Sequence, residues 1–349
     1  MKYAVLFAIL ALLLAVPLAS GAQTSPPAIT FAWAFRTGDY VRGQPVASGR
    51  AVYVGSDDNA LHAIDAEKGV EIWRFDTADN VTSAPALAGG LLYFGSWDGA
   101  IYAVDAAQGK QRWRYETAGW VRTAPVITGS IVYAGSADGY LYALSTGQGS
   151  LVWRYRTGGR IEGGPALAAG LVFAGSDDGY LYALDAASGE LRWRQRLDAA
   201  IIDTPAVANG LVFAGTLGRK LYALDAATGA QRWIYRAGGA FESSPAAGGG
   251  LVYAGADDGR IYALNAQTGT IAWQQPTGNL ARSSPALAGE LVFAGSDDGF
   301  IYALDRKTGS VTWRYRTGGA IAAAPTVAGD RLYVSSTDRR LHAFKLAGR

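Results

Sequence analysis

Histidine occurs twice in this chain, at His62 and His342, and cysteine not at all. Without cysteine there are no disulfides, no Cys-ligated zinc, no iron–sulfur cluster and no thiol nucleophile, and two histidines leave a Ser-His-Asp relay little material. What can still do chemistry is a set of charged and aromatic side chains at related spacings. Arg42, Arg122, Glu162, Glu242 and Arg282 lie at multiples of 40 residues from one another, Arg160 and Asp203 sit beside that series, and Trp97 and Trp120 depart from every regular spacing. Around a common axis such charges form a polar ligand site or neutralise one another as a solvated ring. Glu162, Asp203 and Glu242 also raise paired-carboxylate glycoside chemistry, which their separation decides. No residue is assigned as catalytic and none as a metal ligand, and no G-x-x-x-x-G-K-[ST] phosphate loop is present.

The elements that must position these residues repeat. Trp recurs at 33, 73, 113, 153, 193, 233, 273 and 313, and Pro at 45, 85, 125, 165, 205, 245, 285 and 325. A period of 40 marks an array of one supersecondary unit that cannot bury its own apolar face. Within Ala86 to Tyr115, strand-length runs alternate with Ser96-Trp97-Asp98-Gly99 and Asp105-Ala106-Ala107-Gln108-Gly109, whose Asp and Gly suit tight turns. With the run at the Pro this makes four strands, A to D, and no helix. Pro lacks an N–H, so strand A is an edge, expected to face a central channel. The sequence opens with a lone D strand, Phe31 to Arg36, and ends on a C strand, Leu341 to Phe344. Pairing these two closes an all-β, eight-bladed propeller of four-stranded blades.

Several positions acquire readings from the repeat. Strand B carries a small residue at Gly55, Gly95, Gly135, Gly175, Gly215, Gly255, Gly295 and Ser335, leaving room for something flat, for which the repeating Trp is the expected occupant. Asp65, Asp105, Asp185, Asp225 and Asp305 read as turn acceptors rather than calcium ligands. His62 and His342 replace the Tyr of an LYAL motif and read as structural substitutes. Trp97 in a B–C turn and Trp120 in the next D–A loop are expected on one face of successive blades, as contact surface.

Half of the 349 residues are hydrophobic and 17% are charged, as in a globular protein with a large core. Residues 1–22 read as a signal peptide, with Lys2, an apolar run from Ala4 to Val16, and Ser20 and Ala22 at the cleavage positions. Residues 23–349 then form a single propeller, exported to the periplasm or secreted, with no membrane span once the leader is removed. Beyond Lys2, cations exceed anions by one, which gives no reason to expect nucleic-acid binding.

The unit running from Gly170 through Gly175-Ser176-Asp177-Asp178-Gly179 and Leu184-Asp185-Ala186 to Gly189 and Trp193 resembles the PQQ-type, quinoprotein-like repeat. The resemblance spans the chain and implies an eight-bladed ring in which each Trp stacks between blades. One branch of that family, the quinoprotein dehydrogenases, binds pyrroloquinoline quinone with calcium on the axis, but its members are longer and many use an adjacent cysteine pair. Another, the BamB-type outer-membrane assembly propellers, is similar in size and holds a partner protein, although this sequence lacks the lipobox Cys. The expectation is a monomeric, non-catalytic platform for an envelope protein or peptide, with no cofactor, using the face of Trp97, Trp120, Arg122 and Arg160. The alternatives are a redox enzyme binding pyrroloquinoline quinone and calcium, and a carbohydrate or small-ligand receptor.

Overall fold

A computed structural model describes residues 28–347. The leader expected at 1–22 lies outside them. The described residues contain no helix and fold into eight four-stranded antiparallel sheets, each built from consecutive strands except one. Blade two is representative, with A at Ala86–Ala88, B at Leu91–Gly95, C at Ala100–Asp105 and D at Gln111–Glu116. The exception is the closing blade, where Ile29–Arg36 pairs with Arg340–Leu346 in the register Phe31↔Phe344 and Arg36↔Arg340. The two ends of the chain thus complete one sheet, as expected.

The core lies between blades. Each hydrophobic cluster draws on two neighbours: Tyr93, Ile101 and Trp113 of blade two meet Val132, Tyr142 and Leu144 of blade three. The short A strands line the axis, where Ala206–Ala208 lies beside Ala246–Gly248 of the next blade. Each repeating Pro directly precedes an A strand, at an edge where no ladder partner is forfeited.

The repeating Trp does not occupy the space beside the strand-B glycine, and this corrects the sequence reading. It lies on the C–D turn of the next blade. A Cβ on Gly109, which has a positive φ, would stand 2.7 Å from Trp73 Cδ2, and the Trp73 Nε1–H donates to Ala106 O at 3.1 Å. The same indole-to-carbonyl bond, 33 residues along, recurs at Trp33, Trp113, Trp153, Trp193, Trp233 and Trp273. Among the described residues, Trp313 is the one repeating Trp without it. It packs edge-on against Phe344 at 5.2 Å instead. The strand-B glycine makes room for the apolar residue of the following D–A loop: a Cβ on Gly95 would stand 2.3 Å from Val121 Cγ1.

A second seam uses a carboxylate. Asp98, Asp138, Asp178, Asp258 and Asp298 each accept the hydroxyl of a strand-C Tyr from the same blade, at 2.5 to 2.7 Å. Asp98, Asp138 and Asp178 also accept a D–A backbone N–H 20 residues upstream. At His62 and His342 the imidazole takes the Tyr's place, with Nε2 3.1 Å from Asp58 and 2.9 Å from Asp338, which supports the reading of both as structural substitutes. Blade five breaks the rule. Its turn has Gly218 where the Asp should be, and Asp198 reaches in from the neighbouring D–A loop, bonding Thr216 Oγ1 at 2.9 Å and Lys220 Nζ at 3.1 Å. The carboxylate keeps its place while its backbone attachment has moved across the seam.

This exchange is testable. A Cβ at Gly218 would stand 2.2 Å from Asp198 Oδ2, so Gly218→Asp alone should destabilise by about 2 kcal/mol through steric and like-charge conflict. Adding Asp198→Gly restores the arrangement of the other blades and should recover most of that loss in denaturant melts. Additive single effects would refute the swap.

Candidate functional site

The D–A loops end at the axis, and alternation along each loop decides what faces it. Val41, Val81, Val121, Ile161, Ile201, Phe241, Ala281 and Ile321 turn into the seams and are buried. The following residue is therefore presented to the channel. There the loops enclose a funnel of about 330 Å³ whose walls include Arg42, Trp97, Arg122, Glu162, Asp203, Glu242 and Arg282. Trp120 and Arg160 stand at its rim rather than in its wall. The rings of Trp97 and Trp120 meet at 5.4 Å, the Arg122 guanidinium lies over Trp97 at 5.5 Å, and Arg160 lies over Trp120 at 5.2 Å. Trp97 Nε1–H donates to Thr82 Oγ1 at 2.8 Å, whereas the buried Trp120 Nε1–H has no acceptor.

Much of the charge is paired. Arg122 bonds Glu162 at 2.9 Å, Arg42 meets Asp57 at 3.3 Å, and Arg282 lies 3.2 Å from Glu242 and 3.0 Å from Asp257. The B–C turns thus bring in a series that sequence reasoning passed over as hairpin residues: Asp57, Asp177, Asp257 and Asp297. The repeated Asp-Asp of these turns was the available signal. Its second Asp holds the seam, which leaves the first beside the funnel's charged residues, outside its wall. Burial pushes the pKa of Asp57, Asp177, Glu242 and Asp297 up, with neighbouring carboxylates adding to the effect.

Asp203 stands apart. In three blades this position is a hydroxyl that clips the loop to strand B: Ser83 Oγ donates to Gly95 O at 2.9 Å and accepts its N–H at 3.0 Å, and Thr123 and Ser243 do the same with Gly135 and Gly255. Ser283 Oγ bonds Ala323 O instead, and Gly43, Gly163 and Ala323 have no hydroxyl to offer. Asp203 makes no such clip to Gly215, the strand-B residue of its own blade. Its Oδ2 is buried with no hydrogen-bond partner. Burial, and then the charge of Glu242, push its pKa up to about 8, against the opposing pull of Arg122. The adjoining residue in blade four is Gly163, where a Cβ would stand 2.2 Å from the Asp203 carbonyl carbon. One residue further on, the funnel divides into two arcs. Gly164 N–H donates to Thr204 Oγ1, Thr204 N–H to Ser244 Oγ, and Ser244 N–H to Ser284 Oγ, at 2.8 to 3.1 Å. The opposite arc presents Ala324, Ala84 and Ala124, with Gln44 between the first two.

A calcium-bound quinone requires several uncommitted oxygen ligands around one cation. Glu162 and Glu242 are held by arginines, and among the described residues no three of His, Cys, Asp or Glu converge to hold a metal ion. The residues present do not fit that pair. The same pairing leaves Glu162 and Glu242 committed to arginine rather than poised as an acid and base.

Asp203 carries a stability consequence. Its folded-state pKa lies above the unfolded one, so the folded protein holds this proton more tightly. That stabilising contribution is complete below about pH 4 and is lost as pH rises through about 8. Asp203→Ser, the residue of three other blades, should therefore raise Tm by several degrees at pH 9 and by much less at pH 5 in calorimetry; an equal gain at both values would contradict the burial of this charge.

The family model described as outer membrane protein assembly factor BamB matches residues 30–160, 137–277, 205–299 and 279–349. No curated protein matches the chain. Among solved structures, BamB from Moraxella catarrhalis is 23% identical with a TM-score of 0.80, covering 91% of this chain and 100% of its own. The computationally designed Ika8 protein is 17% identical with a TM-score of 0.82, covering 91% of this chain and 100% of its own. Quinohemoprotein alcohol dehydrogenase from Comamonas testosteroni is 17% identical with a TM-score of 0.79, covering 92% of this chain and 77% of its own. These likenesses carry the eight-bladed fold. With the family model matched along the ring from residue 30 onward, the chain belongs to the BamB-type family of PQQ-like repeat propellers.

Proposed function

We propose that this protein is an exported, non-catalytic interaction platform of the cell envelope, holding a protein or peptide on the funnel face, with outer-membrane protein assembly as the process it serves. The observation that carries the reading is the Trp97–Trp120 pair. Two indoles outside the repeat meet at a tilt at the rim beneath two arginines, and one of them keeps a buried N–H with no acceptor among the described residues. An unpaired buried donor costs about 1–3 kcal/mol. A partner carbonyl or carboxylate placed there offsets that cost, and aromatic burial flanked by Arg supplies the affinity typical of interface anchors. Family membership supports the same reading, as does the leader-like apolar run from Ala4 to Val16 in the sequence.

The test is the double variant Trp97→Ala, Trp120→Ala, expressed in its own envelope and cross-linked in the cell. It should keep a sharp unfolding transition, lose its cross-linked partner by about tenfold or more, and lower the amount of assembled outer-membrane protein. Partner capture at the unmodified level would remove this face from the proposal.

A further inference from the structure

We propose that the axial funnel receives one alkyl-bearing cationic head group, an ammonium or a guanidinium, seated at Asp203 with its aliphatic stem along the alanine arc. This goes beyond the platform reading, because the cation can belong to a partner's side chain or to a free amine.

The first support is the balance of charge. The funnel wall carries three carboxylates, Glu162, Asp203 and Glu242, and three guanidiniums, Arg42, Arg122 and Arg282, with Arg160 at the rim and the B–C turn carboxylates Asp57, Asp177, Asp257 and Asp297 behind these groups rather than in the wall. Three of those guanidiniums are already engaged in ion pairs, so an anion would have to break an existing pair. A cation instead meets buried, unpartnered carboxylate oxygen at Asp203 Oδ2.

The second support is shape. The funnel, about 330 Å³, is polar along Thr204, Ser244 and Ser284 and mostly apolar along Ala324, Ala84 and Ala124, where Gln44 is the one polar side chain, with the Trp97 ring at its edge. A bare metal ion uses only the first wall. An alkyl ammonium or guanidinium uses both, its head at the carboxylate and its stem on methyl groups, with ring stacking available at the rim.

The third support is that Asp203 breaks the local rule without a structural return. It stands where three other blades place a hydroxyl clip, faces Glu242, Asp257 and Glu162 as like charges, and has Arg122 as its compensating one. Residues that violate the pattern of their own fold at a cost in stability cluster at binding sites. Seating a cation restores the missing counter-charge and expels the proton that burial keeps on Asp203. Affinity should therefore climb from about pH 6 to about pH 9, by up to about tenfold per unit.

The experiment is titration calorimetry of the purified full protein with two probes, agmatine and acetyl-Gly-Arg-Gly-amide, and with acetyl-Gly-Gln-Gly-amide as the uncharged control. The expected result is saturable one-to-one binding with a Kd below about 1 mM at pH 8. Proton release should appear as a dependence of the heat on the buffer's ionisation enthalpy. Asp203→Asn should weaken binding about tenfold or more and abolish that proton release, while keeping or raising Tm. Agmatine matching the peptide assigns the cation to a free amine, and peptide binding alone assigns it to a partner's side chain; both support the site. No saturation by either probe at about 10 mM, binding of the Gln control equal to the Arg peptide, or unchanged affinity in Asp203→Asn would overturn it. The platform reading is judged separately, by the Trp97/Trp120 variant, so the two can fail independently.

Discussion

A sheet of four strands, the longest eight residues and the shortest three, cannot cover either of its own faces, so every blade depends on the seam with the next. Each seam is fastened twice. An indole from one blade lies on a C–D turn glycine of its neighbour and bonds a carbonyl there, and a turn carboxylate on the opposite face is held by a Tyr or His and, in several blades, by a backbone N–H from across the seam. The indole fastening demands an absent side chain on the receiving turn: a Cβ on Gly189 would stand 2.6 Å from Trp153 Cδ2. Trp and Gly are therefore one device divided between two repeats. At the seam of Trp313 the described residues do not include it. Phe31, Tyr315, Trp313 and Phe344 pack together in its place.

That device explains both what the sequence disclosed and what it concealed. Unbroken spacing of Trp and Pro implied a ring, and the unmatched strands at the two ends implied how it closes, because those features need only counting. Which glycine receives the Trp was not legible. A unit contains several glycines, and the one that matters lies 36 residues further on, in a different blade, where no pattern inside a single unit points. The roles of His62 and His342 were legible, since each stands where a Tyr stands elsewhere and keeps the same carboxylate partner.

The funnel was legible to a similar depth. Alternation along the D–A loops placed Arg122, Glu162, Glu242 and Arg282 at the axis without coordinates. The pairing within that ring depends on side-chain reach between blades, so the sequence left open which charges cancel. Asp203 shows the gap most clearly. In the sequence it is one more acidic residue beside a variable series, and only the hydroxyl clips of Ser83, Thr123 and Ser243 reveal what it has displaced. The Asp198 and Gly218 exchange was equally hidden, because each looks like ordinary loop variation until the two are seen on opposite sides of one seam.

These two irregularities differ in kind, and the difference locates function. At blade five's seam a rule is broken and immediately repaired: the carboxylate returns from the other side with Thr216 and Lys220 as partners, so its pKa is held down despite burial. At Asp203 a rule is broken and left unrepaired, and its pKa is driven the other way. Magnitudes show why the ring tolerates this. Burying one large apolar side chain is worth up to about 3 kcal/mol, and seven indole fastenings recur around the circle, against one desolvated carboxylate worth a few kcal/mol at most. The repetition that makes the fold rigid thus leaves stability to spare at its axis, the one place where a D–A residue touches no seam and can answer to a ligand instead.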